Sequence, residues 1–118
     1  MRDYQKLEVW KKAHLLTVHT YKVIVPEFPS HEKYDLCSQV KRAAYSVPLN
    51  IVEGAGRRTE KDFAHFLDNA LGSVQELEYT CFLAKDLEYL DESKYEEMCK
   101  KAGEVKAMLI GLIKHLRP

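Results

Sequence analysis

Apolar residues recur along this chain at spacings of three and four, and nowhere at a sustained spacing of two. Trp10, Ala13, Thr17, Thr20 and Ile24 form the first such stripe, with Leu16 and Tyr21 beside it. Leu36, Val40, Ala43, Val47 and Ile51 form a second, thin and alanine-rich. Phe63, Leu67, Ala70, Val74, Leu77, Cys81 and Ala84 alternate fours and threes without a break, which is a heptad seam. Phe66, Leu71, Phe82, Leu83 and Leu87 widen it. Tyr95, Met98, Ala102, Val105, Leu109, Leu112 and Leu116 repeat the rhythm in the last quarter. Helices are therefore predicted over about 7–25, 31–55, 60–90 and 92–116. The connections are short, so the fold class is all-α, an antiparallel up-down-up-down four-helix bundle forming a single domain over 1–118.

The boundaries have local causes. Pro26 and Pro29 are expected to stop the first helix. Ser30 is a candidate N-cap for the second, with Glu32 in its first turn. Thr59 with Asp62 three residues on reads as a variant capping box, and Asp91 as the cap of the fourth helix. Gly54 and Gly56 terminate the second helix. Inside that helix stands Pro48, which lacks a backbone donor and clashes with the preceding turn, so a kink is expected there. The Ser46 hydroxyl, and Asn50 one turn later, are candidate partners for a backbone group the proline frees. Gly72-Ser73 is expected to let the alanine-rich helix approach the third.

Composition narrows the class. At 118 residues the chain can bury a real core. No apolar run is long enough to span a bilayer, and the charged start, MRDYQKLEVWKK, does not read as a signal peptide. Cys37, Cys81 and Cys99 are odd in number and sit within helical patterns, which suggests reduced thiols in a cytoplasmic protein.

The formal net charge is zero but polarised. Residues 1–61 hold eleven Lys/Arg against seven Asp/Glu, and residues 62–118 hold seven against eleven, giving +4 and −4. A neutral chain is not an indiscriminate nucleic-acid binder, but a polarised one can offer a basic face to RNA or to an acidic face of a neighbour.

Candidate chemistry is sparse. A carboxylate-bridged di-metal site needs Glu-x-x-His motifs on two helices, and only Asp62, His65 and Asp68 share a stripe here, which a solvated polar face explains. His14 and His19 are five apart and do not share a helix face. The cysteines have no C-x-x-C pairing, and no phosphate loop or nucleophile elbow occurs. No catalytic residue, metal or cofactor is assigned. Lys41, Arg42, Arg57, Arg58 and Lys61 cluster in sequence around the second helix and the turn after it, a candidate RNA surface. The alternative is that Arg42 pairs with a carboxylate such as Glu53 and the others are solvated. Val9, Leu15, Val18, Tyr45, Phe82 and Leu83 lie off the seams, which favours self-association.

Several stretches carry a family resemblance: Leu7 through Ala13, Phe28-Pro29, Glu32 through Tyr34, Gln39 through Ala44, Ser46 through Gly54, and Ala70 through Glu78. Together they resemble the four-helix bundle proteins encoded in intervening sequences of bacterial large-subunit (23S) ribosomal RNA genes. The accessory protein of diversity-generating retroelements is similar more distantly. Lys41 stands where the family usually has a second arginine or similar basic residue, and Val52 where it has alanine. The resemblance implies a structural signature of Gln39, Arg42, Ser46, Pro48, Asn50, Glu53, Gly54 and Gly72. It implies a ring-like homopentamer, no known catalysis, and an association with RNA or a nucleic-acid-associated protein, with Arg42, Arg57 and Arg58 as the best-matched basic positions. The expected function is thus a non-enzymatic binding or scaffold bundle. The competing readings are an enzyme using the bundle interior and an adaptor for a protein partner.

Overall fold

Thr59 and Asp91 each start a helix as their side chains predict. Thr59 Oγ1 accepts from the Asp62 amide at 3.1 Å, and Asp91 Oδ1 from the Lys94 amide at 2.7 Å. The computed structural model describes residues 2–118; Met1 lies outside them. Four α-helices follow in chain order: α1 (Glu8–His19), α2 (Leu36–Ala55), α3 (Glu60–Asp86) and α4 (Glu92–Leu116). No strand occurs among the described residues. The molecule measures 43 × 23 × 19 Å, and α3, at about 1.5 Å per residue, runs nearly its full length.

The first helical stretch changes type along its course. After His19 the chain forms a π-helical turn, Thr20–Ile24, closed by the Val25 amide on Thr20 O. A 3-10 turn, Val25–Glu27, then carries Pro26 within it. Pro26 therefore does not end the helical path; it sits at the start of a tighter turn, where a missing donor is tolerated. The wide turn keeps both Thr20 and Ile24 fully buried, with Thr20 Oγ1 donating to Leu16 O at 2.8 Å.

The start of α2 also differs from expectation. Ser30 opens only a 3-10 turn, Ser30–Glu32, and α2 begins at Leu36. Glu32 supplies the cap: its Oε1 accepts from the Leu36 amide at 3.3 Å, and its Oε2 from the Tyr89 hydroxyl at 2.9 Å. A carboxylate reaching forward over an intervening turn satisfies one of the first helix donors, which Ser30 does not.

At the far end of α3, the Tyr89 amide donates to Ala84 O and the Glu88 amide to Lys85 O, each at 2.9 Å. This is a Schellman closure with Glu88 in the left-handed position, φ 65°. It ends the helix at Asp86, four residues before the expected limit. Leu90 then turns back into the core.

The predicted stripes meet in one core. All seven residues of the α3 seam are buried, as are Val40, Ala43, Val47 and Ile51 of α2 and Met98, Ala102, Val105 and Leu109 of α4. Val9 joins them, although the sequence places it off the seam. The α3 helix packs against α2 and α4, and α1 packs against the same two. Ion pairs join Asp68 to Arg117 at 2.7 Å and Glu78 to Lys106 at 2.6 Å across α3 and α4. Lys12 faces Glu104 at 4.0 Å, and His19 faces Glu97 at 3.9 Å, across α1 and α4.

Pro48 lies inside α2 and is buried. Without its amide hydrogen, the Ala44 carbonyl has no donor one turn ahead. Thr17 of α1 fills the gap, its Oγ1 lying 2.9 Å from Ala44 O. The same hydroxyl lies 3.0 Å from Ala13 O on its own helix. The Ser46 hydroxyl makes no hydrogen bond among the described residues, so the expected local partner is replaced by one from a neighbouring helix. Asn50 does bond back as expected, Nδ2 donating to Ser46 O at 2.8 Å.

Gly54 marks where α2 meets α3. A Cβ there would lie 2.8 Å from Phe66 Cβ and 2.9 Å from Phe63 Cδ1. Gly72 plays no such part, because nothing lies within 4 Å of its hypothetical Cβ. The close approach falls at the end of α2, not at the middle of α3.

Candidate nucleic-acid interface

Gly54 and Gly56 bring the chain out of α2 and deliver Arg57 and Arg58 to an exposed turn, with Lys61 in the first turn of α3. The Arg57 guanidinium lies over the Phe66 ring, 4.6 Å from its centroid. Arg2 arrives from the other end of the sequence. Its amide donates to Ala55 O at 3.2 Å, and its Nη1 to Arg57 O at 3.0 Å. Its guanidinium covers the Phe63 ring at 4.4 Å. Two guanidiniums thus rest on neighbouring rings of α3, held by packing and cation–π attraction. None of Arg2, Arg57, Arg58 and Lys61 pairs with a carboxylate among the described residues. Cations positioned without a protein counter-ion are free to neutralise an external anion.

The five basic residues read from the sequence do not form one cluster. Arg57, Arg58 and Lys61 share the turn, but Lys41 and Arg42 sit in the first half of α2, about 20 Å from its end by helix rise. Lys41 instead places its ammonium 5.4 Å from the Tyr21 ring centroid. Arg42 is exposed and does not pair with Glu53, which stands eleven positions along the same helix, about 16 Å away. Arg2 was not among the expected residues. Its contacts lie 53 and 55 positions away, beyond the reach of any local pattern.

The remaining signature residues divide by depth. Gln39, Arg42, Glu53 and Gly72 are exposed, Ser46 and Asn50 half-buried, and Pro48 and Gly54 buried. The Asp62-His65-Asp68 stripe is split by Arg117, whose two guanidinium nitrogens hold both Asp68 oxygens at 3.2 and 2.7 Å. No group of three His, Cys, Asp or Glu side chains is placed to hold a metal ion among the described residues.

Two of the three thiols sit as small core residues, and Cys99 is half-buried. Cys37 and Cys81 are buried, and burial together with nearby Cys99 pushes the Cys81 thiol up to about 12. His14 stacks on Trp10, ring centroids 5.1 Å apart and planes within 13°. His19 is largely covered, and burial lowers its pKa below the usual imidazole value against the opposing pull of Glu97. A shallow groove between α1 and α4 is lined by Lys12, Leu15, Leu16, Lys101, Glu104 and Val105. No helix is long and apolar enough to cross a membrane among the described residues.

Among known structures, the chain is similar to a protein of unknown function from the S23 ribosomal protein family of Bacteroides thetaiotaomicron VPI-5482. The TM-score is 0.83 at 26% identity, over 90% of this chain and 95% of that one. No curated protein sequence matches. The family model described as 23S rRNA-intervening sequence protein matches residues 5–111. With the signature segment folded into α2 and nearly the whole chain covered, the protein belongs to the 23S rRNA-intervening sequence protein family.

Proposed function

We propose that this protein is a non-enzymatic, self-assembling four-helix bundle of the cytoplasm that binds RNA through the turn between α2 and α3. The observation that carries the RNA reading is the set of cations at that turn, Arg2, Arg57, Arg58 and Lys61, positioned without carboxylate partners. In this reading the helices run up-down-up-down. Supporting pairs descend along one helix as they ascend along the other: Asp68 with Arg117, Glu78 with Lys106 and Lys85 with Glu92. Lys12 with Glu104 and His19 with Glu97 do the same for α1 and α4.

The self-assembly reading is a homo-oligomer, with five copies as the ring that the family resemblance implies. It draws on large apolar side chains left at the surface. Leu15, Tyr45, Leu49, Tyr79 and Phe82 are each more than two-fifths exposed. The opposite charges of the two halves of the chain suit contact between unlike faces of neighbouring copies.

Native mass spectrometry across a range of salt, with co-purified nucleic acid retained, tests both parts. A five-fold mass with bound RNA is the expected result, and a monomer at micromolar concentration overturns the assembly. For the RNA part, affinity should fall steeply with salt. The double variant Arg57→Ala with Arg58→Ala should reduce the salt slope by about one for each lost phosphate contact. An unchanged slope, or no retention at low salt, overturns it.

A further inference from the structure

We propose that the RNA recognised at this turn is single-stranded, and that the His14 ring is the platform on which one of its bases stacks. This rests on the RNA reading above and assigns the form of nucleic acid and a second element of the site.

Three aromatic rings form a ladder beginning beside the basic turn. Arg2, anchored on Ala55 and Arg57, is two residues from Tyr4. The Tyr4 ring meets Trp10 edge-on, centroids 5.0 Å apart at 72°. Trp10 then lies parallel to His14, at 5.1 Å and 13°. Tyr4 and Trp10 are half-buried and pack against the core, so the inner rungs are fixed. His14 is exposed and is the outer rung, a flat ring braced from behind by an indole. One helical turn separates Trp10 from His14, so α1 sets the stack by its own periodicity. Beyond α1, in the π-helical turn, Tyr21 is also exposed, with the Lys41 ammonium above it. Arg2 and Arg57 thus stand before the ladder, and the Tyr21 ring with Lys41 above it follows His14 seven positions on.

Exposed rings flanked by cations suit an unpaired strand. Phosphates follow the cations while unstacked bases lie on flat rings, and stacking tolerates any sequence because every base has a π-face. In a duplex the bases are stacked on one another and have no free face to offer, so only the phosphate contacts would remain. Two acids near the start of the ladder are engaged: Asp3 accepts from the Gln5 amide, and Glu8 pairs with Lys11.

Trp10 is the chain's single tryptophan, so the test has a built-in reporter. The full-length protein is titrated with a short single-stranded RNA and with the same RNA as a duplex. Trp10 emission and RNA anisotropy are followed together. Tighter binding of the single strand, with quenched emission, is expected. His14→Ala should weaken single-strand binding about fivefold or more while leaving duplex binding and the salt slope unchanged. His14→Phe should restore it, since a flat ring remains. Equal binding of both forms, with no effect of His14→Ala, overturns the platform and leaves the RNA reading intact. Binding of neither form overturns the RNA reading and the platform with it. Emission that responds to protein dilution and not to RNA assigns the ladder to contact with a second copy, and also overturns the platform.

Discussion

Thr17 of α1 donates to the carbonyl of Ala44 in α2, at 2.9 Å, at the position where Pro48 withholds the amide that would otherwise serve it. A proline inside a helix normally leaves that oxygen to water or bends the helix away from it. Here the side chain of a neighbouring helix is the donor. The missing helix hydrogen bond and the helix packing are therefore served by one interaction, and Pro48 couples α2 to α1.

Removing the donor should expose that coupling. Thr17→Val keeps the shape and deletes the hydroxyl, leaving a covered carbonyl unpaired, which costs about 1–3 kcal/mol. In a Pro48→Ala background the helix amide returns to Ala44 O, and the same substitution should cost about 1 kcal/mol less. Urea unfolding of the four proteins measures this. Additive losses would show that the two residues act separately.

The glycines of α2 and α3 should respond in opposite directions. Gly54→Ala forces a methyl against Phe63 and Phe66, at 2.9 and 2.8 Å, and overpacking of this kind costs about 1–3 kcal/mol. Gly72→Ala adds a methyl in open space on a helix, where alanine is favoured by about 1 kcal/mol. Thermal melts should show one variant below the parent and the other above it.

Glu88 closes α3 in a left-handed conformation that an L side chain adopts only at a cost. Glu88→Gly should stabilise the fold by about 1 kcal/mol, with the Ala84 and Lys85 carbonyls still capped. A destabilised variant would mean that the Glu88 side chain holds something beyond the turn.

His19 predicts a pH dependence. Burial lowers its folded-state pKa below 6.5, the Glu97 carboxylate opposes this, and Lys101 reinforces it. The unfolded chain then binds a proton more readily than the folded one. Stability falls as pH drops through about 6.5, and the loss is complete below the folded pKa. Its Nε2 has no partner among the described residues. Urea midpoints at pH 7.5 and pH 5.5 should differ less for His19→Gln than for the parent. An equal difference would place the pH sensitivity elsewhere.

The architecture was legible where burial repeats with the helix. Every seam residue from Phe63 to Ala84 is buried, because one uninterrupted period leaves no choice of face. The capping residues Thr59 and Asp91 were legible because their partners are three positions away. Local pattern could not show the π turn at Thr20–Ile24, since inserting one residue into a turn alters hydrogen bonding without altering composition. It also placed α2 too early, because Ser30 has the chemistry of a cap while Glu32 has the reach. For the site, the turn residues Arg57, Arg58 and Lys61 could be read as a group because they are consecutive or nearly so. Arg2 joins them through contacts of the N-terminal segment with the end of α2, which no spacing encodes, whereas the separation of Lys41 and Arg42 from that group follows from the rise along α2.

Tyr89 joins parts of the chain that lie far apart in sequence. Its hydroxyl donates to Glu32 across 57 residues and lies 3.3 Å from His31 Nε2 across 58, and its ring meets Phe28 at 5.9 Å. Contacts that close such long loops lose chain entropy before they gain anything, whereas the helices form from neighbours. The Tyr89 cluster should therefore be absent when the folding barrier is crossed. It acts as a latch on the finished bundle, and its strength should set how slowly the protein lets go of its fold more than how quickly it finds it.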